Sequence, residues 1–236
     1  MTSARALVWA HRGASKIRPE NTLSAFRAAL EAGADGVELD VHPSLDGHVV
    51  VIHDATLDRT TNGSGWVKDM TLKQLQQFDA GIKHSALFVN ERIPTLEEVL
   101  QLITAFNKKL LIELKGPFSG LPDGTAMMLK LLGKKQPEYP ELPTLVSKVL
   151  QPYVKQLEGN IFVQSFHRPY LEELRSLMPE LQLVYLTLSS NRSWLQREDL
   201  QIPLTFSGVS VRHTALTPDA VKELQKIQGH VFAWTV

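Results

Sequence analysis

Short apolar runs alternate along the chain with longer stretches whose apolar residues recur every three or four positions. Leu7 to Trp9 reads as a strand that ends at the turn His11-Arg12-Gly13. Asn21 is placed to cap a helix whose stripe is Leu23, Phe26 and Leu30, and Gly33 closes that helix. Gly36 to Val41 is a second strand, and Asp46-Gly47 is a hairpin signal that sends Val49 to Ile52 back along it. Thr95-Leu96-Glu97-Glu98 has the form of a capping box, opening a helix with Leu96, Val99, Leu100 and Ile103 on one face. Leu110 to Lys115, Ile161 to Phe166, Leu183 to Thr187, Gly208 to Val211 and Val231 to Val236 supply further strands. Helical stripes at Tyr170 to Leu177 and at Val221, Leu224 and Ile227 fall between them.

Strands that alternate with helices predict a parallel sheet with crossover helices. No glycine fingerprint of the dinucleotide type follows the first strand, and no Gly-x-x-x-x-Gly-Lys loop occurs. An α/β barrel of the (β/α)8 type is therefore expected in place of an open doubly wound sheet. Residues 1–236 are expected to form one barrel domain. Residues 54–94 are far too long for an ordinary βα connection and are read as a small insertion, or lid, after the second-strand hairpin.

Composition excludes more than it selects. Twenty-five basic residues balance 25 acidic ones, which leaves no basic stripe for nucleic acid. The absence of cysteine removes disulfides, thiolate zinc sites and cysteine nucleophiles together. No segment approaches the roughly 20 apolar residues of a membrane span, and the start of the chain has no apolar run of signal-peptide length. A cytoplasmic protein without stable membrane association is the expectation.

Alternation along a strand puts Glu38 and Asp40 on one face, and Glu113 and Lys115 on one face of a later strand. In a parallel barrel the strand C-termini gather at one rim, where active sites lie. Carboxylates packed together there require a cation, and oxygen ligands without thiolates favour one Mg²⁺ or Ca²⁺. Counting residues outward from Asp46-Gly47 pairs His53 with Asp40, while His11 ends the neighbouring first strand. Two imidazoles beside a metal-bound carboxylate site suit phosphodiester cleavage, one ring taking a proton and the other giving one. Arg12 and Lys115 are cations suited to the phosphoryl oxygens. Phe166 and Trp234 are candidate apolar walls for the substrate. Glu20 is read as a buttress of the first loop, Asp54 as a turn or supporting residue, and His42 as lying too far along the hairpin to react.

His11-Arg12-Gly13, Pro19-Glu20-Asn21-Thr22, Glu38-Leu39-Asp40-Val41, His53-Asp54, Leu57-Asp58-Arg59-Thr60-Thr61, Ile93-Pro94-Thr95-Leu96-Glu97-Glu98, Glu113-Leu114-Lys115 and Trp234-Thr235-Val236 follow one another in the order and approximate spacing of a known family. The chain resembles the glycerophosphodiester phosphodiesterases, in their bacterial cytosolic type. The resemblance implies a small-molecule glycerophosphodiester substrate, cleaved to glycerol 3-phosphate and an alcohol. It implies that Glu38, Asp40 and Glu113 hold the metal, that His11 and His53 are the acid–base pair, and that Arg12 and Lys115 hold the phosphate. Attack by the substrate's own 2-hydroxyl or by water is compatible with this set. Family members usually continue past Trp-Thr-Val with a helix and an eighth strand, so the last barrel strand is expected to lie outside this chain. Two rival readings remain: a phospholipase or lyase acting on lysolipids, which would show an exposed apolar rim on residues 54–94, and a silent phosphodiester-binding module, which would have lost site residues.

Overall fold

A computed structural model describes residues 5–116, 138–187, 206–222 and 229–234. Its strands are β1 (Trp9–His11), β2 (Gly36–Pro43), β3 (Val49–Val51), β4 (Lys109–Leu114), β5 (Ile161–Ser165), β6 (Gln182–Thr187), β7 (Gly208–Arg212) and β8 (His230–Trp234). Seven of them run parallel in the order β1-β2-β4-β5-β6-β7-β8, and β3 lies antiparallel on the far part of β2. β1 and β8 have no mutual pairing among the described residues.

The sheet nevertheless curls on itself. Trp9 of β1 meets Phe162 of β5 edge to face at 5.6 Å and Phe232 of β8 at 5.5 Å. Strands that distant in sheet order touch only across the inside of a barrel. With Leu111 and Val184, these rings fill the lower interior. This is the α/β barrel architecture that the alternation predicted.

The helices cover the outside. α1 (Leu23–Glu31) buries Ala25, Phe26, Ala29 and Leu30. Its cap differs from expectation: Thr22, not Asn21, is the N-cap, and its Oγ1 accepts from Ala25 N. Asn21 stands at φ +58° with its side chain turned elsewhere. A four-residue turn of helix, α2 (Leu72–Leu75), lies in the long insertion. α3 (Leu96–Phe106) opens with the expected capping box: Glu98 Oε2 accepts from Thr95 N at 2.7 Å, and Glu98 N donates back to Thr95 Oγ1. α4 (Leu142–Leu150) and α5 (Arg168–Leu177) complete the cover over β4 to β6. Fully burying one large apolar side chain such as Phe26, Leu100 or Leu171 contributes about 1.5–3 kcal/mol.

Residues 54–94 carry a small core of their own. Leu57, Val67, Leu75 and Ile93 pack with Val50 and Ile52 from the hairpin. Residues 218–222 are helical; Leu224 and Ile227 of the expected stripe, the prolines at 117, 122 and 137, and the residues past Trp234 lie outside the described residues.

Candidate active site

All eight residues of β2 are buried, as a barrel strand covered on both faces demands. Glu38 and Asp40 face the interior, where they meet Glu113 of β4. Each of the three offers one carboxylate oxygen within 4.8 Å of the others. Register explains the meeting, because Asp40 pairs with Glu113 across the β2–β4 ladder and Glu38 with His11 across β1–β2.

Three buried acids need compensation. Lys115, just past β4, places Nζ 2.8 Å from Asp40 Oδ1 and 2.6 Å from Glu113 Oε1. Only the Glu113 contact is well directed, so Asp40 Oδ1 is close to a charge yet accepts no proper hydrogen bond. Asp40 Oδ2 accepts from Asn21 Nδ2 at 2.8 Å and lies 3.3 Å from Arg12 Nε. Burial alone would raise the Asp40 carboxyl, but Lys115, His53 and Arg12 outweigh it and hold Asp40 below the usual carboxylate range. At Glu38 the balance is reversed: burial, with Asp40 and Glu113 adding to it, outweighs Lys115 and Arg12 and holds Glu38 well above the usual range. Burial likewise raises Glu113.

His11 ends β1 with Nε2 3.9 Å from Glu38 Oε2, and burial beside Arg12 pushes its ring down to about 4. The expected hairpin pairing of His53 is off by one. The ladder sets Val41 opposite Val51, and Ile52 N donates to Asp40 O at 3.0 Å, so His53 lies one position past Asp40's partner. Its carbonyl accepts from the fully buried His42 at 3.1 Å, and its Nδ1 contacts Asp54 Oδ1 at 2.6 Å.

Asp54 begins an ionic chain that reaches the carboxylates from the other side. Arg59 donates to Asp54 at 2.7 and 3.0 Å and to Glu20 at 2.7 and 2.9 Å. Glu20 also accepts from Arg12 Nη1 at 3.0 Å. His53, Asp54, Arg59, Glu20, Arg12 and Asp40 therefore form one continuous series of polar contacts. With all of them ionised, five carboxylates (Glu20 and Asp54 included) exceed the three cations by two charges, the charge of one divalent ion. An all-oxygen donor set that is short of two charges fits Mg²⁺ or Ca²⁺.

Sequence reasoning brought seven of its nine site residues to this one place: His11, Arg12, Glu38, Asp40, His53, Glu113 and Lys115. Phe166 and Trp234 touch each other, ring centroids 6.0 Å apart, further round the mouth. It missed Gln164, which faces inward from β5 and donates to Glu38 Oε1 at 3.4 Å while its own Oε1 has no partner among the described residues. It also missed Arg212, at the mouth end of β7. Alternation back from Phe166, and one residue's extension of the Gly208–Val211 strand, are the signals that find them.

A sequence profile described as the glycerophosphoryl diester phosphodiesterase family matches residues 11–236. The chain is 37% identical over 98% of its length, and 86% of the relative's, to a glycerophosphodiester phosphodiesterase of Caldanaerobacter subterraneus. Among solved structures it is similar to a glycerophosphodiester phosphodiesterase from Agrobacterium tumefaciens, with TM-score 0.74 and 26% identity, covering 97% of this chain and 86% of that one. An Oleispira antarctica phosphodiesterase in complex with its product sn-glycerol-3-phosphate matches with TM-score 0.73 and 27% identity, covering 98% and 85%.

Proposed function

The chain belongs to the glycerophosphoryl diester phosphodiesterase family, and from that membership we propose that it hydrolyses glycerophosphodiesters to glycerol 3-phosphate and an alcohol, using one divalent cation. The observation that carries the reading is the set Glu38, Asp40 and Glu113, three buried carboxylates within 4.8 Å that their own cations do not neutralise. These three would hold the ion, which when bound supplies charge stabilisation to a phosphoryl oxygen.

The remaining roles follow from the contacts. Arg12, held between Glu20 and Asp40, presents a guanidinium to the phosphate. Lys115 holds Asp40 down, partly offsets burial at Glu113, and adds positive charge beside the same oxygens. Asp54 occupies Nδ1 of His53, so proton exchange at that ring falls to Nε2. His11 stands on the other side, against Glu38, and the two imidazoles divide proton acceptance and donation between them. Asp54 and Arg59 both belong to the 54–94 insertion, which supports reading that segment as part of the cover over the site.

Among the described residues no helix is long and apolar enough to cross a membrane. One observation does favour the lysolipid reading as a second possibility. Ile82, Leu87 and Val89 are exposed on the insertion, Leu87 at 87%. Arg18 lies 5.0 Å over the Phe88 ring, which brings exposed Ile17 to the same rim.

The test is release of glycerol 3-phosphate from glycerophosphocholine, with and without EDTA, for the wild type and for His53→Ala. Cation-dependent release that the variant loses is the expected result. Release unaffected by EDTA would refute the metal reading. No release from glycerophosphocholine together with turnover of lysophosphatidylcholine in vesicles would transfer the assignment to the second reading.

A further inference from the structure

The mouth carries two donors that the chemistry above does not use. β5 and β8 are separated in the sheet by β6 and β7, so the contact between Phe166 and Trp234 is made across the opening of the barrel. Trp234 therefore leans over the mouth. Arg212 pairs with Trp234 across the β7–β8 ladder, on the same inward face, and its guanidinium lies 5.2 Å over the indole. Arg212 is exposed and pairs with no carboxylate among the described residues. The Trp234 indole N–H is buried, and it too has no acceptor among them. A guanidinium fixed by stacking beside a buried N–H, neither with an anionic or acceptor partner among the described residues, is a receptor for an anion.

Phe166 is two residues beyond Gln164, whose amide reaches Glu38. Phe166 thus stands on the wall next to the carboxylate cluster, and Trp234 and Arg212 reach it from the far end of the sheet order. A diester with its phosphoryl group at the cluster has one substituent near this wall. Resting on the phosphodiesterase reading, we infer that Arg212 and Trp234 select glycerophosphodiesters whose alcohol carries a second anionic group. The Arg212 guanidinium and Trp234 Nε1 donate to that group, and Phe166 closes the apolar side of the pocket.

The experiment compares kcat/KM for glycerophosphoinositol with that for its ring-phosphorylated counterpart. A glycerophosphodiester of a hydroxycarboxylic acid shows whether carboxylate serves as well as phosphate. Hydrogen bonds to charged groups are strong enough for the wild type to favour the anionic substrate about tenfold or more. Arg212→Gln loses that preference, Trp234→Phe reduces it, and Arg212→Lys keeps part of it through charge without the fork. Wild-type turnover of both diesters without preference overturns the inference alone. So does an Arg212→Gln protein that loses both substrates equally, since that marks a structural role. Failure of the wild type to cleave any of the diesters overturns the phosphodiesterase reading, and the inference falls with it.

Discussion

Replacing Lys115 by methionine removes the ammonium group between Asp40 and Glu113 while keeping most of the apolar volume of the stem. Lys115 is 3% exposed, and its carboxylate partners are equally shielded from water. Removing one member of a buried ion pair costs about 3–5 kcal/mol, because the charge left behind has neither water nor partner. In a domain of this size each kcal/mol lowers Tm by about 2–4 °C, so the variant should melt roughly 6–20 °C below wild type in EDTA. A bound divalent ion replaces the missing charge, and at about a hundred times its Kd it contributes ~2.7 kcal/mol to the native state. The gap to wild type measured in EDTA should therefore narrow when Mg²⁺ or Ca²⁺ is added. Adding Glu113→Gln to the variant should recover part of the loss, since one of the stranded charges is then gone. Scanning calorimetry in EDTA and in excess cation reads all of this. A Lys115→Met midpoint within about 2 °C of wild type in EDTA would refute the claim that this lysine neutralises the cluster.

Arg59→Ala cuts both Asp54 and Glu20 loose, and loss of such supporting contacts typically lowers activity about 10–100-fold. The loss should fall on kcat more than KM and be partly rescued by guanidinium ion; a normal kcat would refute the positioning role. Gly13→Ala and Gly33→Ala separate strain from collision. Both glycines have positive φ, which costs an L-residue about 1–2 kcal/mol, but a Cβ at Gly13 would lie 2.6 Å from the Ala25 carbonyl carbon whereas one at Gly33 meets nothing within 4 Å. Urea midpoints should fall clearly further for Gly13→Ala, and equal losses would contradict the close packing of the His11–Gly13 turn on α1. Asp35 is held down to about 2 by its hydrogen bonds from Arg5 and from Val8 N, the latter at 2.8 Å. Its folded pKa lies below its unfolded value of 3.8, so its stabilisation is full above that value and disappears as pH falls through about 2. The urea-midpoint difference between wild type and Asp35→Asn should be constant from neutral pH down to the unfolded pKa and shrink below it; a difference growing on acidification would overturn the sign.

The parts of the site that rest on strand periodicity were legible from the sequence. Glu38 and Asp40 had to share a face, and a parallel barrel had to bring that face to Glu113. What depended on turn geometry was less secure. Counting outward from Asp46-Gly47 misplaced His53 by one residue, because the Ser44–His48 turn, with Ser44 N donating to His48 O, sets the register. Asn21 read as an N-cap because Asn and Thr both favour that position. Its use as a ligand for Asp40 depends on a tertiary approach that no local pattern encodes. Lys115 was legible as sharing a face with Glu113, but its contact to Asp40 on β2, like the place of Arg212 over Trp234, requires strand register.

Backbone strain at the mouth points to the same residues by an independent route. Arg12 stands at φ +56°, a conformation an arginine side chain gains nothing from locally. Arg12 N donates to Glu38 O at 3.0 Å and reaches Glu38 Oε2 at 3.2 Å, and Arg12 O accepts from Asn21 N at 3.0 Å. Asn21, itself at φ +58°, then binds Asp40. Glycine would relieve the strain at position 12 but would remove the guanidinium that joins Glu20 to Asp40. A strained conformation persists only where surrounding contacts over-determine it, and such residues cluster at functional sites. Here the contacts that impose the strain end on two of the three clustered carboxylates. The loop is therefore shaped around the carboxylate cluster, and stability of the turn alone would favour a different residue.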